Sequence, residues 1–247
     1  MFFQADPGTS WAGSIAACME YPHNRPYTAD DLVRIITLLR DPVNGCPWDK
    51  VQTHTSIRMN FLEEAYEAVD ALDLDDPVLM CEELGDVLMQ VAFHTCMEQE
   101  TGRFTWEQVC DGVCQKLIER HPNIFGTQPG YEGITDWDAL KNKEKGRRTL
   151  ADDLESVPRA MPALMRAAKL QKRAARHGAA LQGADAAALA DAAENLQTAQ
   201  PASAQAEQAV GELLFAAANL ARQAGVDPEQ ALQKANEAFC AAAGPVA

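Results

Sequence analysis

The sequence predicts an all-α protein arranged as two small helical bundles in tandem. Three observations carry this. Every segment with a regular apolar pattern repeats at helical spacing, and none alternates with period two over a useful length. Helix-start signals recur, among them Asp76 before Pro77 and Thr105 with Gln108 three residues on. The second half of the chain weakly repeats the first.

Residues 1–27 have mixed polar composition with Pro7, Pro22 and Pro26, and read as a poorly ordered extension. Thr28 to Arg40 reads as a first helix, with Leu32, Ile35, Ile36 and Leu39 on one face. The stretch RDPVNGCPWDKVQTH, residues 40–54, carries two prolines and an Asn-Gly pair, and reads as an ordered loop. Trp48, Lys50 and Gln52 within it allow two readings. Trp48 caps the core and Lys50 is solvated, or the ring, the cation and the amide serve a nucleotide base and its phosphates.

The chain is organised around NFLEEAYEAVDALDLDDPVLMCEELGD, residues 60–86. Glu64 and Glu67 are three apart and share one face of a helix. Glu83 and Asp86 do the same on the next. Asp76 and Pro77 read as the N-cap and first position of that second helix. So short a turn makes the two helices antiparallel neighbours. Leu62, Ala65, Val69 and Leu72 form an apolar stripe on the first; Leu84, Val87, Leu88, Val91 and Ala92 form one on the second. Glu64 and Glu83 lie beside these stripes, not opposite them. Either acidic cluster alone is ordinary for a solvated helix face. Together they bring four carboxylates to one spot, where they repel each other or take up protons. A hard divalent cation removes that conflict, and all-oxygen ligation suits Mg²⁺ or Mn²⁺.

The second acidic helix extends to about Gln99, with Gly102 in the C-terminal glycine position. The helix over 106–120 carries Lys116 and Arg120, four apart on one face. They complement the helix dipole, or, if the helix packs beside the acidic pair, hold phosphate oxygens. A Gly/Pro-rich loop over 123–134 leads to a short helix from Thr135, with Trp137 and Lys141 on one face. The charged, proline-punctuated segment that follows places a junction at 146–158, between domains at 28–145 and 159–247.

In the second half, AVGELLFAAANLARQAG parallels ELGDVLMQVAFHTCMEQETG. Asp191, Glu194 and Glu212 stand for Glu64, Glu67 and Asp86. Ala209 stands where Glu83 does, and Ala238 where Arg120 does. This half reads as a decayed, Ala-rich copy kept for structure and dimer formation.

A formal net charge of −15 argues against a nucleic-acid surface, which needs a basic patch. It leaves a nucleotide substrate open, because a metal inverts the local field. Seven cysteines, with no CxxC, point to reduced thiols and a cytoplasmic setting. No apolar run reaches the roughly 18 residues that would span a membrane, and the first residues lack the pattern of a signal peptide.

RDPVNGCPWDKVQTH, LEEAYE, CEELGDVLMQVAFH and KLIERHPNIF, in that order, resemble the nucleoside triphosphate pyrophosphohydrolases of the MazG type. The family signature EExxE followed by ExxD is matched by EEAYE at 63–67 and ELGD at 83–86. The resemblance is near full length apart from the first 27 residues. It implies metal ligands at Glu64, Glu67, Glu83 and Asp86, with Mg²⁺, or Mn²⁺, as cofactor. Glu63 becomes a water-positioning carboxylate, so that Glu63, Glu64 and Glu67 form the catalytic set. The substrate-binding set is Trp48, Lys50, Asn60, Lys116, Arg120 and Trp137. It also implies a homodimer acting on nucleoside triphosphates in the first repeat, since the second has lost a ligand and a cation. The rivals are a non-enzymatic helical interaction module and a narrower enzyme for dUTP or modified nucleotides.

Overall fold

The computed structural model describes residues 20–23, 25–122, 124–126, 142 and 144–244. The expectations for Trp137 and most of residues 1–27 fall outside these. The protein is all-α, with no strand among the described residues. The chain divides into two compact units, Met1–Gly133 and Ile134–Ala247.

The first unit holds α1 (Ala29–Leu39), a 3₁₀ turn (Asp49–Val51), α2 (Arg58–Asp73), α3 (Pro77–Glu100) and α4 (Trp106–Arg120). Local chemistry sets the helix starts. Thr28 and Thr105 each complete a capping box, with Asp31 and Gln108. Asp76 accepts from the amides of Val78 and Leu79 at 2.9 and 3.1 Å, ahead of Pro77. Asp75, at φ 53°, turns the chain between α2 and α3. The α2–α3 hairpin is the main packing contact of this unit, and α1 and α4 both lie on α3. Ile36, Ile57, Ala92, Phe93, Cys96, Met97 and Trp106 form the core.

The apolar stripes differ from expectation. Val69 and Leu72 on α2 and Leu84 and Leu88 on α3 are exposed. On α2, Ala68 and Ala71 are buried in their place, while Ala92 of the expected α3 stripe is buried as anticipated. Small residues let the two backbones approach closely, and the larger aliphatic side chains are turned to the outer face.

Arg40, buried at the end of α1, ties this unit together. Its Nε and Nη2 donate to the two carboxylate oxygens of Glu100 on α3, at 2.6 and 2.8 Å. Its Nη1 donates to the carbonyls of Asp49 and Gln52, at 2.7 and 3.2 Å. Its guanidinium also stands 5.4 Å from the centre of the Phe93 ring. The loop over 40–54 is therefore anchored at its base. Trp48 rests edge-on against Phe93 at 6.4 Å, yet its side chain remains exposed.

The second unit holds α5 (Leu150–Glu155), α6 (Ala163–Arg176), α7 (Ala186–Thr198), α8 (Ala204–Gln223) and α9 (Pro228–Ala243). Asp227 caps α9 ahead of Pro228, as Asp76 does for α3. Residues 146–158, where the sequence suggested a junction, hold α5 with its own Thr149 capping box. Asp153 and Val157 there are 1% exposed. Asp153 pairs with Arg173 at 3.0 Å and His177 at 3.2 Å on the α6 side. Arg173 also donates to the Asp153 carbonyl and the Ser156 hydroxyl. A charged, proline-flanked sequence is packed here because a buried guanidinium answers its carboxylate and carbonyl.

Candidate metal centre

The three-residue spacing and the tight α2–α3 turn bring Glu64, Glu83 and Asp86 together. One oxygen from each lies within 4.8 Å of the others, and all three side chains are half-buried. Glu67 is exposed and stands outside this trio, but its charge acts on both Glu64 and Glu83. Glu63 is exposed and adds to the field at Glu64.

The carboxylates of the cluster act on one another electrostatically. Desolvation raises the Glu64 carboxyl above its ordinary range, Asp86 and Glu67 push the same way, and Gln90 opposes them. Desolvation also raises Glu83, followed by the charges of Glu67, Asp86 and Glu82. Glu83 Oε2 is shut off from solvent and has no hydrogen-bond partner. Three carboxylates this close, one with a partnerless oxygen, fit a hard cation with oxygen ligands.

Gln90 was not anticipated. It is 6% exposed, its Nε2 stands 3.5 Å from Glu64 Oε1, and its own Oε1 lacks a partner. The signal was its position four residues after Asp86, on the same face of α3. The same four-residue step leads to His94 and Glu98. The His54 and His94 rings meet edge to edge, within 5° of parallel and with centres 5.0 Å apart. His54 Nε2 lies 2.5 Å from Glu98 Oε1, and Arg103 holds the same carboxylate at 2.6 Å. His54, His94 and Glu98 border a cavity of about 490 Å³ shared with Arg58, Phe61 and Phe104.

Among the substrate-set residues, Asn60 is half-buried one turn before Glu64 on α2. Lys50 is half-buried, with Nζ 3.5 Å from the Pro42 carbonyl. On α4, Lys116 is exposed and Arg120 half-buried. Cys46, Cys81, Cys96, Cys110, Cys114 and Cys240 are free thiols. Among the described residues no helix is long and apolar enough to cross a membrane.

Fold and donors together define an all-helical protein with an acidic, oxygen-only centre between two antiparallel helices. Residues 52–125 match the family described as the MazG nucleotide pyrophosphohydrolase domain. The chain is 41% identical over 219 residues to a nucleoside triphosphate pyrophosphohydrolase of Escherichia coli strain K12, covering 85% of this chain and 83% of that protein. It is 39% identical over 212 residues to the nucleoside triphosphate pyrophosphohydrolase/pyrophosphatase MazG of Thermotoga maritima, covering 85% and 82%. A nucleoside triphosphate pyrophosphohydrolase of Mycobacterium tuberculosis is 35% identical over 151 residues, 60% of this chain and 46% of that one. The chain belongs to the MazG nucleotide pyrophosphohydrolase family.

Proposed function

We propose that the protein hydrolyses nucleoside triphosphates to the monophosphate and pyrophosphate, with Glu64, Glu67, Glu83 and Asp86 holding Mg²⁺. The observation that carries this is the convergence of Glu64, Glu83 and Asp86, with Glu83 Oε2 shut off from solvent and without a hydrogen-bond partner. When bound, a divalent cation supplies positive charge to phosphate oxygens and acidity to water. The protein's own part is positioning and charge placement. Glu67 adds a fourth donor by a change of side-chain rotamer. Glu63, exposed at the edge of the cluster, takes the proton of the attacking water. Lys116 and Arg120 neutralise phosphate oxygens as the bond between the α and β phosphates breaks. Trp48 offers an exposed ring for the base, with Trp137 assigned the same kind of contact by resemblance.

We assign the active protein to a homodimer in the cytoplasm. Support comes from the exposed Tyr66, Val69 and Leu72 of α2 and Leu84 and Leu88 of α3, an apolar face suited to a second copy. The second unit is assigned a structural role, with a narrower dUTP or modified-nucleotide preference as a variant of the same chemistry. The same apolar face favours the rival reading, a helical interaction module without turnover. Pyrophosphate release from a panel of nucleoside triphosphates, with and without Mg²⁺, decides between them. No Mg²⁺-dependent release from any of them refutes the enzyme.

A further inference from the structure

The second unit holds a groove that the reaction above does not use. Two cavities, of about 430 and 400 Å³, share Leu170 of α6 and Phe215 of α8. The first is bordered by Arg159 and Arg166, the second by Gln171 and Gln182.

Three features of this groove point to a ligand. Arg166 Nε is shut off from solvent and has no hydrogen-bond partner. Gln171 is 1% exposed, and its Nε2 donates to the Phe215 carbonyl at 2.7 Å. Its Oε1 has no partner. An amide buried this far with an idle acceptor needs a donor. Phe215 lines both cavities, its side chain partly open to solvent. Arg166 and Gln171 are five positions apart on α6, an axial rise of about 7.5 Å with a turn of about 140° around the helix. The cations also stand out in a chain of net charge −15.

We propose that this groove binds a nucleoside monophosphate without cleaving it. The phosphate lies against Arg159 and Arg166, the base covers Phe215, and an N–H of the base edge donates to Gln171 Oε1, with Gln182 at the rim. Two guanidinium groups suit a phosphate dianion, and an apolar pocket with a few convergent polar groups is the usual form of a small-molecule site. The choice of a nucleotide among flat anionic ligands rests on the proposed activity, of which a nucleoside monophosphate is a product. The second unit would then sense the product of the first.

The test is calorimetric titration of the full chain in EDTA with the adenine, guanine, cytosine and uracil monophosphates. Adenosine and inorganic phosphate serve as separate arms. At least one monophosphate binds, and the nucleoside and the free phosphate bind at least tenfold more weakly. Arg159→Ala, a surface change, and Arg166→Ala each weaken binding at least tenfold. Glu64→Gln leaves it unchanged. Pyrophosphate release at saturating triphosphate is the same in both arginine variants as in the parent. Absence of binding for all four monophosphates overturns the proposal. So do phosphate binding as tight as theirs, indifference to both arginine variants, or loss of binding in Glu64→Gln. Monophosphate binding with these dependences, but without pyrophosphate release from any triphosphate, sinks the proposed activity and leaves the site standing.

Discussion

The Nδ1 atoms of His54 and His94 stand 2.7 Å apart, joining the loop before α2 to the middle of α3. One ring must donate and the other accept, so the pair cannot carry two full protons there. Burial lowers the His94 pKa below its ordinary value, the His54 charge lowers it further, and Glu98 opposes both. Arg58 and Arg103 are the other charged groups around the pair. A histidine depressed in the folded state stabilises the fold above its unfolded pKa of about 6.5. That contribution is lost as pH falls through the folded value. Melting temperature is therefore expected to fall between pH 7 and 5, and His94→Gln to flatten this part of the profile. An identical slope in the variant would show that the pair is not responsible.

Glu64 and Glu83 work in the opposite sense. A carboxyl with a raised pKa binds its proton more readily when folded, so acid relieves the metal-free site and rising pH restores the repulsion. Glu83→Gln is expected to raise the melting temperature in EDTA and to abolish the rise produced by Mg²⁺ or Mn²⁺. In the parent protein, metal at about 100 times its dissociation constant adds about 2.7 kcal/mol. At neutral pH that is several degrees for a chain of this size. Thermal melts with and without metal, on both proteins, measure both effects.

Turnover tests the same residues by another route. Glu64→Gln and Asp86→Asn are each expected to reduce pyrophosphate release by about a hundredfold or more, the scale of losing a main electrostatic stabiliser. Their circular dichroism stays helical. Glu63→Gln slows turnover while keeping most of the metal affinity, since that carboxylate stands outside the converging trio. Parent-like rates in both ligand variants would remove the metal assignment.

Arg40→Ala leaves the Asp49 and Gln52 carbonyls and the Glu100 carboxylate without their donor. The expected cost is about 1–3 kcal/mol, the scale of orphaning buried acceptors. Arg40→Lys recovers little of it, because an ammonium cannot span a carboxylate and two carbonyls from one planar fork. Urea unfolding of the three proteins gives the comparison. A lysine variant as stable as the parent would reduce Arg40 to a generic cation.

Helix starts were readable because they are written in adjacent residues. Asp76 and Thr105 act on amides two or three positions away, and the structure places them at the caps as expected; Thr28, read as the first helical residue, is the cap of α1. The pairing of Glu64 with Glu83 and Asp86 was also legible, since a tight turn leaves two helices little choice of neighbour. What lay across longer separations was not. On α2 the expected stripe holds at Leu62 and Ala65, which are half-buried, but Val69 and Leu72 are exposed and Ala68 and Ala71 occupy the contact. Arg40 with Glu100, and His54 with His94, join residues 60 and 40 positions apart, and no local pattern announces such partners. Asp153 was hidden for the same reason, as Arg173 lies 20 positions further on.

The guanidinium that clamps the carbonyls of Asp49 and Gln52 also bears on kinetics. A segment pinned at its base to a long helix behaves as wall and not as door. The backbone that carries Trp48 cannot leave its place without breaking that clamp. Displacing this loop requires breaking the Arg40 hydrogen bonds to the Asp49 and Gln52 carbonyls, a slower event than a change of side-chain rotamer.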